Sequence, residues 1–334
     1  MKKRSLPCAV IIALLFSFLA SCGNAEISDA GEAENVYTEE TPSDVTVPDV
    51  GPVAGDPVTG DPDAEGQQAE PVTDTEIDLY ILSGSVSFDE EYTESVEDGM
   101  QSFIINSDNS SDCTIFYFHG GAFITQPMEQ HWQFINKLIG MTDAEVIAPI
   151  YPLAPAHTYE YTYDRVINCY KKWRSENPGR KAIFLGDSAG GGLALGAAER
   201  LRDMGAVMPD KLVLISPWVD LSMSNPDIYS WSSDQTLDVD VLLDAAGQWA
   251  GDTPLDDERV SALNADLGGL PETLIVTGTI DCFYPDIIKL HDKLKAEGVP
   301  VDIVIGEGMT HVYVILYYDY CPDAMESISE FVGK

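Results

Sequence analysis

Ile183-Phe184-Leu185-Gly186-Asp187-Ser188-Ala189-Gly190-Gly191-Gly192-Leu193-Ala194-Leu195 is the stretch from which the rest of the chain is read. Three apolar residues ending at Leu185 close a buried strand, and an Ala- and Leu-rich helix opens at about Leu193. Between them lies Gly186-x-Ser188-x-Gly190, the G-x-S-x-G spacing of a strand-turn-helix elbow that exposes a serine hydroxyl. Such a turn demands unusual backbone angles at Ser188, and neighbours without side chains permit the tight approach. The helix that follows aims unpaired N–H groups, Ala189's first, and its positive end at the serine, where an oxyanion can be held. The spacing alone recurs by chance, so the weight falls on its surroundings.

Outward from the elbow, the pattern alternates. Upstream, residues 77–82, 101–106 and Cys113–Phe118 are expected strands, followed by a helix over 130–139, the strand Glu145–Ile150 and a helix over 161–174. Downstream come the strand Lys211–Ile215, a less regular stretch over 222–271 with a helix at 239–249, and a strand at 273–278. A helix over 285–296, a strand over 301–305 and a mostly helical 312–331 complete the chain. Strands alternating with helices imply an α/β fold whose central, mostly parallel sheet is covered by helices on both faces. Ligands in such sheets lie beyond the carboxyl ends of the strands. Ser188, Asp281 and His311 each follow a strand end, which places all three on that rim.

A serine hydroxyl needs a base to take its proton, and the base needs a carboxylate to fix its tautomer. Of five histidines, His119 belongs to a Gly-Gly loop, His131 and His291 lie in helical stretches, and His157 sits in a Pro-rich turn. His311, in the loop after the last strand, is the candidate base. Asp281, three residues past Gly278, is the candidate acid, ahead of Asp286 inside the next helix and Glu307 close to His311 in sequence. An oxyanion hole needs backbone donors aimed at the developing charge. His119-Gly120-Gly121-Ala122 directly follows a strand, so the Gly120 and Gly121 N–H groups join that of Ala189 as candidates. His119 itself is expected to brace the loop.

These motifs resemble, in order, the hormone-sensitive-lipase group of α/β-hydrolases. The resemblance rests on His119-Gly120-Gly121-Ala122, Tyr151-Pro152-Leu153-Ala154-Pro155, Gly186-Asp187-Ser188-Ala189-Gly190-Gly191 and Ser216-Pro217-Trp218-Val219-Asp220-Leu221. Residues 264–271, the Asp281-x-x-x-x-Asp286 pair and Gly308-Met309-Thr310-His311 extend it to the end of the chain. It implies an α/β-hydrolase catalytic domain over 76–334 with a small lid insertion at 222–262. It also implies a serine hydrolase of short- to medium-chain carboxylic esters working through Ser188, His311 and Asp281 without a cofactor. Amide cleavage by the same triad, as in acylaminopeptidases, and a catalytically silent surface binding protein are the alternatives; the latter predicts loss of a triad member, and all three are present. Pro152 and Ala156 stand where the group often has Arg and Glu, and Val312 where Gly is common.

Composition sets the address. The chain has 334 residues and a formal charge of −38, from 56 acidic and 18 basic residues. That balance argues against nucleic acid as a partner, since phosphate binding needs a basic face. Lys2-Lys3-Arg4, an apolar run of Leu6 to Ala20 and Leu19-Ala20-Ser21-Cys22 resemble a bacterial lipoprotein signal peptide over 1–21. The resemblance implies lipid on Cys22 and a membrane-anchored, extracytoplasmic protein that meets small-molecule esters. Residues 22–75, acidic, without Lys or Arg and with one aromatic residue, are expected to be a disordered linker. No C-x-x-C or H-E-x-x-H spacing suggests a metal site. Cys113, Cys169, Cys282 and Cys321 allow three disulfide pairings or four thiols.

Overall fold

Alternating strands and helices form one eight-stranded sheet in the computed structural model, which describes residues 79–231 and 237–333. The expected signal peptide, Cys22 and the expected linker lie outside the described residues. The strands are β1 Tyr92–Glu97, β2 Met100–Ile105, β3 Cys113–Phe118, β4 Glu145–Ile150, β5 Lys181–Asp187, β6 Lys211–Ile215, β7 Glu272–Gly278 and β8 Val301–Gly306. The helices are α1 Glu129–Thr142, α2 Tyr159–Glu176, α3 Ala189–Asp203, α4 Pro226–Trp231, α5 Val239–Ala250, α6 Tyr284–Ala296, α7 Tyr313–Leu316 and α8 Pro322–Gly333. The strand order is β1-β2-β4-β3-β5-β6-β7-β8, with only β2 running against the rest.

The sheet is buried on both faces because its central strands are predominantly apolar. Along β3 the side chains alternate: Phe116 and Phe118 enter one core layer, Ile115 and Tyr117 the other. The first layer packs under α2, α3 and α6 through Tyr163, Leu193, Ile287 and Leu290. The second packs under α1 and α8 through Trp132, Leu138, Met325 and Ile328. Each of these large side chains contributes on the order of 2–3 kcal/mol by leaving water. The two layers fix the sheet's carboxyl edge, on which the candidate residues sit.

Two expectations change. Residues 79–82 form no strand. Instead the Tyr80 ring packs against Phe103 and Trp132, and its N–H donates to the Gln101 side chain at 2.8 Å. The first strand is β1, whose Tyr-Thr-Glu-Ser-Val-Glu sequence is mostly exposed at the sheet edge and so lacks an apolar signature. Asp98-Gly99, at φ 50° and 77°, turns it into β2, a hairpin signal that was readable in the sequence. Downstream, residues 312–331 divide into α7, a 3₁₀ turn at Tyr318–Tyr320, and α8, which Pro322 restarts. The insertion at 222–262 contains α4 and α5. Cys113, Cys169, Cys282 and Cys321 form no disulfide.

Candidate active site

β5 ends at Asp187 and α3 begins at Ala189, leaving Ser188 alone at the turn with φ 53° and ψ −121°. That conformation is strained for a residue with a Cβ, and the surroundings hold it. The Ser188 N–H donates to Ile215 O at 2.9 Å, and the Ser188 carbonyl accepts the Trp218 N–H at 2.9 Å. A methyl group on Gly190 would overlap the carbonyl oxygens of Phe118 and His119, and one on Gly186 the Gly190 carbonyl. The two motif glycines therefore let strand, turn and helix close on one another.

Asp281, fully buried beyond the end of β7, accepts the Phe283 N–H on Oδ1 at 2.9 Å. Both of its carboxylate oxygens lie 3.1 Å from His311 Nδ1. A carboxylate only accepts, so Nδ1 carries the proton and Nε2 is the nitrogen that serves as base. The Phe283 ring stands edge-on to the imidazole, 5.0 Å between centroids at 87°, and fixes its plane. Of the two rival acids, Asp286 is buried in the first turn of α6 and accepts the Asn225 amide at 2.6 Å, while Glu307 is exposed. Burial pushes the Asp286 carboxyl up against the opposing effect of Asn225. Val312, next to His311, sits at φ 46° and donates its N–H to Ser216 Oγ at 3.1 Å.

The oxyanion donors are partly reassigned. The Gly120 N–H donates to Asp187 Oδ1 at 3.1 Å, which spends its one hydrogen and removes it from the expected set. Gly121, Ala122 and Phe123 follow at φ 119°, 53° and 62°. In a turn, successive N–H groups can form a concavity that binds an anion. Gly121 and Ala122 both line the cavity in front of Ser188, and Ala189 is the first residue of α3, where no helical acceptor exists. Ala122 thus joins the candidate donors, one that sequence reading missed because counting glycines does not tell which way each peptide turns. His119 braces the loop as expected. Its Nδ1 donates to Gly120 O at 2.7 Å, its ring stacks on Tyr151 at 4.2 Å, and burial lowers its pKa to about 3.

Ser188 and His311 open onto one cavity of about 60 Å³. Met128, Leu237, Val241 and Leu242 close one side of it and Val312, Ile315 and Leu316 another, so its walls are mostly apolar. Leu237, Val241 and Leu242 come from the 222–262 insertion. His131 also lines this cavity, although the sequence places it simply within a helix.

A serine, a base fixed by a buried carboxylate, and a cradle of N–H groups can carry out acyl transfer. The chain as a whole is similar to known proteins. Residues 115–315 match the α/β-hydrolase fold family. An esterase from Acinetobacter venetianus is 29% identical over 238 residues, covering 70% of this chain and 78% of its own. An acetyl-hydrolase of Streptomyces hygroscopicus is 28% identical over 218 residues, 64% of this chain and 72% of its own. The crystal structure of a hormone-sensitive lipase from a metagenome library superposes with a TM-score of 0.67 at 29% identity, over 73% of this chain and 84% of that one. The family match spans more than half of the chain, and the chain belongs to the α/β-hydrolase fold family, on its hormone-sensitive-lipase-like side.

Proposed function

We propose that the protein is a serine carboxylic-ester hydrolase that uses Ser188, His311 and Asp281. Ser188 Oγ attacks the ester carbonyl while His311 Nε2 takes its proton, and Asp281 stabilises the imidazolium through Nδ1–H. The N–H groups of Gly121, Ala122 and Ala189 receive the tetrahedral oxyanion. His311 then protonates the leaving alcohol, and water, activated by the same imidazole, hydrolyses the acyl-enzyme. The observation that carries this reading is the pairing of His311 Nδ1 with both Asp281 oxygens beside the strained Ser188. The small apolar cavity favours short acyl groups, which fits the acetyl-hydrolase and esterase names of the relatives. Hydrolysis of p-nitrophenyl esters from acetyl to palmitoyl tests it. Turnover should peak between acetyl and butyryl and fall by about 10⁴-fold or more in Ser188→Ala. Absence of turnover by the folded protein on every ester would overturn the reading.

We also propose that residues 1–21 are removed as a signal, that lipid on Cys22 holds the enzyme on an extracytoplasmic membrane face, and that residues 22–75 tether the catalytic domain. About fifty residues of flexible chain reach roughly 40 Å, enough to meet soluble acetylated glycans near the surface. Cys22→Ala should release the protein from the membrane fraction and abolish labelling by a clickable palmitate. Retained labelling would contradict the anchor.

A further inference from the structure

Asp187, the residue before the nucleophile, has no part in the mechanism above, yet it is among the most enclosed charges of the molecule, 1% exposed. Three donors converge on it. Tyr117 Oη donates to Oδ1 at 2.6 Å, the Gly120 N–H to Oδ1 at 3.1 Å, and His131 Nε2 lies 3.3 Å from Oδ2. His131 Nδ1 accepts the Met128 N–H at 2.8 Å, so the ring proton is on Nε2, directed at Asp187. Burial alone would raise the Asp187 carboxyl; His131 and the hydrogen bonds from His131 and Tyr117 outweigh it and hold the group below the usual carboxylate range.

The placement of these bonds matters more than their number. Gly120 immediately precedes Gly121 and Ala122, which line the cavity in front of Ser188. Asp187 immediately precedes Ser188. One carboxylate therefore joins the loop that carries the oxyanion donors to the turn that carries the nucleophile. The fit is close: a methyl group on Gly120 would collide with Asp187 Oδ2 and stand 3.1 Å from Ser188 Cβ. Oxyanion donors act only within a few tenths of an ångström of the right separation, and a misplacement of 1 Å costs about 10²-fold in rate.

Resting on the esterase reading, we propose that Asp187 is a positioning residue, which sets the distance between Ser188 and the Gly121 and Ala122 donors by holding Gly120, with His131 and Tyr117 fixing the carboxylate. A negative charge this close to a forming oxyanion opposes it electrostatically, so the two effects predict opposite results on its removal. If positioning dominates, neutralising Asp187 slows the enzyme; if the charge dominates, it speeds it.

The test compares Asp187→Asn, Tyr117→Phe, His131→Leu and His131→Gln with the wild type in ester turnover and in inhibition by a methyl trifluoromethyl ketone, whose adduct with serine places an oxyanion in the hole. Asp187→Asn should lower kcat at least about 30-fold with KM within about threefold, and weaken the ketone by the same factor as kcat/KM falls. Tyr117→Phe and His131→Leu should show the same pattern at about 3- to 10-fold, and His131→Gln, which keeps a donor toward Asp187, should recover most of the His131→Leu loss. A kcat for Asp187→Asn within twofold of wild type or above it, or a lower kcat with unchanged ketone affinity, overturns the proposal. Should Asp187→Asn not fold, Tyr117→Phe decides by the same pairing of kcat with ketone affinity. A wild type without ester turnover overturns the esterase reading instead, whereas an active wild type with undisturbed variants overturns the positioning role alone.

Discussion

At the scale of the residue, the chemistry of Ser188, Asp281 and His311 was legible because each is named by its neighbours: a glycine-framed turn, a strand end, the last loop. The N–H donors were not, since residue types do not encode which peptide N–H is spent inside the fold, as that of Gly120 is on Asp187. His131 was passed over for a related reason. Its place beside Asp187 depends on how α1 is docked, and helical periodicity describes only the helix itself. Val312 shows how a departure from a family pattern becomes physical. A β-branched residue at φ 46° costs about 1–2 kcal/mol, and its side chain occupies cavity wall in return. Val312→Gly relieves the strain and removes that wall. The acyl-chain optimum should move up by about two carbons, read from the p-nitrophenyl ester series; an unchanged optimum would show that Val312 does not bound the acyl site.

At the scale of the element, the doubly covered strands β3, β4 and β6 coincide with their expected ranges, because an apolar run between turn signals has one reading. The edge behaves differently. β1 is held by hydrogen bonds to β2 rather than by burial, so its hydrophobic pattern is silent and only the Asp98-Gly99 turn marks it. The long elbow helix α3 carries a group that no pattern predicts. Glu199 is buried with Oε1 lacking a hydrogen-bond partner among the described residues, and burial pushes its carboxyl well above the carboxylate range despite Arg200 and Arg202 nearby. A raised carboxyl pKa means the folded state keeps a proton that the unfolded chain releases. Stability is therefore unaffected below about pH 4.5 and declines as pH rises from there through the folded pKa, by up to about 1.4 kcal/mol per unit. Glu199→Gln removes this dependence. Its unfolding free energy, measured with urea, should exceed that of wild type by a margin that grows from pH 4.5 to 7.5, and a margin constant with pH would contradict the assignment.

At the scale of the whole molecule, the sheet does two things: it buries two core layers, and it brings residues 119–122, 188, 281 and 311 to one carboxyl edge from four separate strand ends. This convergence could be inferred before any coordinates, because a parallel sheet places every βα loop on the same rim. The enclosure of the site could not. The insertion helix α5 supplies Val241 and Leu242 to the cavity wall, and an irregular insertion carries no sequence rule for where it lies. Within the site, each buried carboxylate is paired with a histidine: Asp281 with His311, Asp187 with His131. The central claim is that Ser188 is the one serine made nucleophilic by this arrangement. The most direct measurement is peptide mapping by mass spectrometry after treatment with a fluorophosphonate, in wild type and in His311→Ala. A single adduct on the peptide holding Ser188, lost or strongly slowed in the variant, is the result expected. A folded protein that stays unlabelled, or that is labelled on another residue, would contradict the account.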